Sequence, residues 1–130
     1  MRMTILSINK LLSSELKDLE AQLKARSKTK VQMINMLSDH IISSGGKRLR
    51  PIVLILSAYA SDSSIREKLI DASVVVEFIH AATLLHDDVV DMSKIRHSQD
   101  TANIIWGNKG AVLVGDFLYS RAFEIIVEIN

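Results

Sequence analysis

The stretch Phe78-Ile79-His80-Ala81-Ala82-Thr83-Leu84-Leu85-His86-Asp87-Asp88-Val89-Val90-Asp91 ends an apolar run on three carboxylates. Read as a helix, it sets Asp87 and Asp91 one turn apart on one face. His80 then lies two turns earlier on nearly the same stripe. Leu84, Leu85, Val89 and Val90 surround the acids, so this helix is predicted to be central and apolar on most sides. A buried carboxylate is costly unless it is paired or bound to metal. Two carboxylates at this spacing supply the hard oxygen ligands that Mg²⁺ takes alongside substrate phosphates. An exposed acidic helix end is the other reading of the same residues.

The long helix is expected over residues 65–91, capped by Ser61-Asp62-Ser63-Ser64. Ahead of it, Ile8, Leu11, Leu12, Leu16, Leu19 and Leu23 recur at helical spacing over residues 7–25, and Met33, Ile34, Leu37, Ile41 and Ile42 do so over 31–43. His40, in the second of these, reads as a surface or satisfied histidine. Gly45-Gly46 break the pattern, and Pro51 suits the first turn of an apolar helix reaching residue 60. Between them, Lys47 and Arg50 are three apart and can converge on one phosphate while Arg48 points elsewhere. A solvated basic turn accounts for that run equally well. It is not a P-loop, because Ile41 stands where that motif requires its first glycine.

Residues 92–101 are polar and read as a loop. Arg96, directly after the acids, is there a diphosphate ligand or a salt-bridge partner of Asp88 or Asp91. A short helix over 101–106 closes at Gly107, and a further apolar helix runs from 109 to 129. Asp116 lies inside its apolar pattern, which invites a buried hydrogen bond or cap. No alternating strand run, internal repeat or low-complexity tract is present, so the fold is expected to be all-α.

The 130 residues amount to about one domain. Hydrophobic content of 48% suffices for a core and excludes a disordered chain. A net charge of +1 gives no bulk attraction to nucleic acid. Without cysteine there is no disulfide framework or thiolate zinc site, and a cytoplasmic chain is expected. The N-terminus lacks the apolar core of a signal peptide. No uninterrupted apolar run reaches the length of a transmembrane segment.

Three ordered motifs carry a family resemblance. Gly45-Gly46-Lys47-Arg48-Leu49-Arg50-Pro51 resembles the basic loop of trans-prenyltransferases, the polyprenyl diphosphate synthases. Leu84-Leu85-His86-Asp87-Asp88-Val89-Val90-Asp91 resembles their first aspartate-rich motif, DDxxD. The run from Val112 through Gly115-Asp116-Phe117 to Phe123 is similar to a later helix of octaprenyl and related long-chain enzymes. The resemblance implies an isoprenoid-synthase helical bundle, of which residues 1–130 would be the N-terminal portion. It implies Mg²⁺-dependent 1'-4 condensation of isopentenyl diphosphate onto an allylic prenyl diphosphate, within isoprenoid biosynthesis. Asp87 and Asp91 would then be metal ligands, with Asp88 nearby. Arg96 would grip the allylic diphosphate, and Lys47, Arg50 and His80 would hold isopentenyl diphosphate. Small residues at Ala82 and Thr83, one turn before the acids, would gate a long product tunnel. A homodimer, or assembly with a complementary C-terminal fragment, is the implied state.

The pattern departs from the family in two places. The family reads Arg-Arg-Gly where this chain reads Arg96-His97-Ser98, so His97 replaces an arginine expected on isopentenyl diphosphate. Imidazole lacks the guanidinium fork and is largely neutral near pH 7. The second aspartate-rich motif is absent from these 130 residues, so this chain alone is expected to be inactive. Two other readings stand beside the synthase. One is a non-catalytic or regulatory partner of a complete enzyme. The other is an HD-type metal phosphohydrolase built on His40, His80, His86 and Asp87.

Overall fold

The computed structural model describes residues 3–44, 46–61 and 66–129. Among these, the order is α1 (Ile5–Leu11), α2 (Ser13–Arg26), α3 (Gln32–Ser43), α4 (Leu49–Ala60), α5 (Arg66–Val90), β1 (Ile95–Arg96), β2 (Gln99–Asp100) and α6 (Ala102–Glu128). The architecture is all-α, as expected. Gly45 of the glycine pair and the expected helix start at 62–65 lie outside the described residues.

Helix α5 is the axis of the bundle. Val74, Phe78, Ala82 and Leu85 recur at helical spacing and are essentially inaccessible. They share one core with Leu19 and Leu23 of α2, Leu37 of α3, and Ala111, Val114, Leu118, Ala122 and Ile125 of α6. Each large apolar side chain buried this way contributes about 1.5–3 kcal/mol. The stretch Lys68–Val90 is, by length and mean composition, apolar enough to cross a membrane, but Asp71, Glu77, Asp87 and Asp88 interrupt it, so the expectation of no uninterrupted apolar run stands. Its most apolar window is 56% buried inside the bundle, so core packing explains its composition.

Where one helix over 7–25 was expected, two meet at Leu12 (φ −98°, ψ 19°). Leu12 is buried with Ile52, Ile55 and Leu69 in a second, smaller core, and seating it there bends the chain. In α6, Gly107 (φ 81°, ψ 161°) separates a short leading helix from the long one. Both the break and the residue causing it agree with the sequence pattern.

The polar segment 92–101 is not a featureless loop. It forms a two-residue hairpin pairing Ile95 with Asp100 and Arg96 with Gln99. His97 (φ 48°) and Ser98 (φ 62°) make its turn, both left-handed. Two-residue hairpins require such a turn, normally filled by Asn-Gly. A left-handed backbone costs a non-glycine residue about 1–2 kcal/mol. The hairpin is clamped from below: Thr101 Oγ1 donates to Ser93 O at 2.8 Å and Asn103 Nδ2 to the same oxygen at 3.0 Å.

Helix α6 packs tightly against α5 at Gly115. A Cβ there would overlap the His86 ring, 2.6 Å from Cδ2. Without one, His86 Nε2 lies 3.1 Å from Val112 O. Asp116 is exposed and 3.4 Å from the same nitrogen, not buried as its apolar surroundings suggested. Gly115→Ala is therefore expected to destabilise the chain by about 1–3 kcal/mol through overpacking. Gly110→Ala meets only ordinary contacts, 3.5 Å to Trp106 and 3.6 Å to Leu37, and should shift stability by less than about 1 kcal/mol. Urea unfolding of the two variants checks this, and equal losses would contradict it.

Candidate functional site

Two charged clusters sit on α5, one near its middle and one at its C-terminal end. The first faces the α3–α4 loop. Arg50, in the first turn of α4, places Nη1 3.1 Å from His80 Nε2. Lys47, three residues earlier in the chain, is exposed. A cavity of about 30 Å³ opens here, lined by Ser44, Gly46, Arg48, Glu77, His80, Ala81, Leu84 and His97, with an apolar floor that includes Leu23 and Phe78. Of the residues singled out for isopentenyl diphosphate, His80 and His97 line this cavity, Arg50 contacts His80 without lining it, and Lys47 is exposed in the loop.

This corner is electropositive. Burial lowers the His80 pKa below its ordinary value, and Arg50, Arg96, Arg48 and His97 lower it further. Neutral His80 can accept an N–H from Arg50. Cations gathered around a ring whose protonation they oppose are a poor arrangement without an anion and a good one with it.

Arg48 is held by carboxylates and a backbone carbonyl, whereas Lys47 and Arg50 are exposed. Its left-handed backbone (φ 52°, ψ 34°) caps α4. Its Nε donates to Glu20 at 2.6 Å, Nη1 to Glu77 at 3.1 Å, and Nη2 to Ile42 O at 2.8 Å. Burial pushes the Glu77 carboxyl above the usual carboxylate range, and Arg48 pulls it back only in part. Sequence reasoning missed Glu77. Its signal was one acid inside the run Val74-Val75-Val76-Glu77-Phe78, three residues before His80.

The second cluster divides its three acids. Asp88 is buried and carries Arg96, with contacts of 2.6, 3.0 and 3.2 Å. The burial argument made for all three carboxylates therefore applies to Asp88 alone, and an arginine satisfies it. Arg96 is committed to that pair in this structure. Asp87 and Asp91 are exposed and make no ion pair among the described residues. The Asp91 N–H bonds to Asp87 O at 2.8 Å, so the helical turn persists between them. They present two hard oxygen donors, which fits a hydrated divalent cation whose other ligands are water or an oxyanion. No group of three or more metal-binding side chains occurs among the described residues.

Ala82 is wholly buried in the main core, and Thr83 is half-buried with its hydroxyl donating to His80 O at 2.7 Å. The cavity is lined by their neighbours Ala81 and Leu84 instead. The histidines of the phosphohydrolase reading do not converge. His40 lies 3.0 Å from Asp100 O and packs edge-on to Trp106, His86 meets α6, and His80 meets Arg50.

Residues 31–130 match the family model for polyprenyl synthetase. The chain belongs to the polyprenyl synthetase family. It is 42% identical over 128 residues to the octaprenyl diphosphate synthase of Escherichia coli K12, a match covering 98% of this chain and 39% of that protein. Its fold superposes with TM-score 0.92 on a polyprenyl synthase from Caulobacter crescentus CB15 complexed with calcium and isoprenyl diphosphate, at 38% identity, covering 98% of this chain and 39% of that one. A decaprenyl diphosphate synthase from Rhodobacter capsulatus gives TM-score 0.91 at 36% identity, covering 96% and 38%. The chain thus spans less than two-fifths of the length of these polyprenyl synthetase relatives.

The division of acids has a measurable consequence. Asp88→Asn strands a half-buried guanidinium and should cost about 1–3 kcal/mol in chemical unfolding without added metal. Asp87→Asn, at an exposed unpaired position, should cost less than about 0.5 kcal/mol. Equal losses would contradict the assignment.

Proposed function

We propose that this chain forms the diphosphate-binding part of a long-chain, octaprenyl-like polyprenyl diphosphate synthase working in the cytoplasm. The reaction would be 1'-4 condensation of isopentenyl diphosphate onto an allylic prenyl diphosphate. The allylic C–O bond breaks, the isopentenyl double bond attacks the resulting cation, and a proton is lost. The observation that carries the reading is that α5 bears both His80, in contact with Arg50 of α4, and farther along the exposed carboxylate pair Asp87 and Asp91. The names of the octaprenyl and decaprenyl relatives support the long product.

In this reading Lys47, Arg50 and His80 orient isopentenyl diphosphate, with the shorter His97 in place of an arginine. Asp87 and Asp91 hold Mg²⁺ on the allylic diphosphate, and Asp88 holds Arg96 beside it. Bound there, Mg²⁺ supplies the positive charge that stabilises diphosphate as a leaving group. The apolar wall of Phe78, Ala81 and Leu84 keeps water from the cation. Ala82 and Thr83 remain the proposed chain-length gate. Leu113, Phe123, Ile126 and Val127 of α6 are exposed apolar residues suited to a homodimer or to the complementary C-terminal fragment.

The test is calorimetric titration of the chain with inorganic pyrophosphate, with and without Mg²⁺. Lys47→Gln and Arg50→Gln are expected to weaken binding in both conditions, by about tenfold for each lost charge-assisted contact. Asp87→Asn and Asp91→Asn should weaken it only when Mg²⁺ is present. Binding indifferent to all four substitutions would overturn the proposal.

A further inference from the structure

We infer that Arg48 is the positioning residue of the diphosphate pocket: spent on Glu20, Glu77 and Ile42 O, it fixes the loop bearing Lys47 and Arg50 and cancels the acid lining the cavity, without touching diphosphate itself. This rests on the reading of the pocket proposed above.

The side chain of Arg48 is only 14% exposed, whereas Lys47 and Arg50 on either side are exposed. A guanidinium carries five N–H donors, and four hydrogen bonds hold this one. Two go to Glu20 of α2 at 2.6 and 3.2 Å, one to Glu77 of α5 at 3.1 Å, and one to Ile42 O of α3 at 2.8 Å. One side chain therefore ties three helices to the residue that starts the fourth. The left-handed backbone at Arg48 turns its side chain inward and leaves those of its neighbours outward.

The second half of the argument is charge. The Glu77 side chain, 9% exposed, lines the same cavity as His80. An unpaired carboxylate there would oppose any anion entering, and a buried charge that loses its partner is strongly unfavourable. Arg48 removes that negative charge from the pocket while Lys47 and Arg50 stay free to supply positive charge to the ligand.

The experiment is titration of the chain with inorganic pyrophosphate, following the His80 ring by NMR, in wild type, Arg48→Gln, Glu77→Gln and the double variant. Arg48→Gln should weaken pyrophosphate binding at least tenfold and shift the ligand-free His80 resonance, because the Arg50–His80 contact loosens. Adding Glu77→Gln removes the uncancelled acid but does not restore the ties to Glu20 and Ile42 O. The double variant should therefore bind at least threefold more tightly than Arg48→Gln, while its ligand-free His80 resonance stays displaced from that of Glu77→Gln. If Arg48→Gln does not fold, the His80 resonance of the double variant against that of Glu77→Gln decides alone. A ligand-free His80 resonance that the loss of Arg48 leaves unchanged, with weakened pyrophosphate binding, would make Arg48 a direct ligand and overturn the inference. Arg48→Gln binding like wild type would overturn it too. Wild-type chain that binds no pyrophosphate would remove the pocket reading itself, a different failure.

Discussion

Burial of α5 on nearly every side is the constraint from which the rest follows. Val74, Phe78, Ala82 and Leu85 commit one stripe to the core. The charged side chains in its second half then lie on the stripe carrying Glu77, His80, Ala81, Leu84 and Asp88, and at its C-terminal end. That stripe faces the α3–α4 loop and the hairpin, which supply the arginines. A carboxylate left on such a helix must find a cation, and Glu77 and Asp88 each find one. Asp87 and Asp91 escape because the helix emerges into solvent where they occur.

Both ion pairs also hold backbone that would otherwise be unfavourable. Arg48 is left-handed at the start of α4, and Arg96 precedes the left-handed His97 and Ser98. Such conformations persist only when their surroundings over-determine them. Here the determinants are the Glu20–Arg48–Glu77 bridge in one case, and Arg96–Asp88 with the Thr101 and Asn103 bonds to Ser93 O in the other. In both places the strain sits beside the cationic cavity and is balanced by carboxylates on the buried helix.

Much of this was legible in the residues. Helical periodicity placed α3, α4, α5 and the Gly107 break. The loop near residue 97 was not, because His-Ser is a poor signal for a turn that Asn-Gly would announce. The kink at Leu12 was hidden because a leucine looks the same on either of two cores. The three acids were treated alike, and only tertiary packing distinguishes the one turned inward onto Arg96. Asp116 misled in the opposite sense: its apolar neighbours along the chain, Val114 and Leu118, face the core while it faces out. Gly115 announced nothing by itself, and only its contact with His86 explains why that position bears no side chain.

The central claim is that diphosphate and a divalent cation meet along α5, between Arg50–His80 and Asp87–Asp91. The most direct measurement is paramagnetic broadening of backbone amides by Mn²⁺ in the presence of inorganic pyrophosphate. The account predicts the strongest broadening at Asp87 and Asp91, fading toward His80, together with a pyrophosphate-dependent shift of the His80 ring. Broadening centred elsewhere, for instance at His86 and Asp116, or a His80 ring indifferent to pyrophosphate, would contradict it.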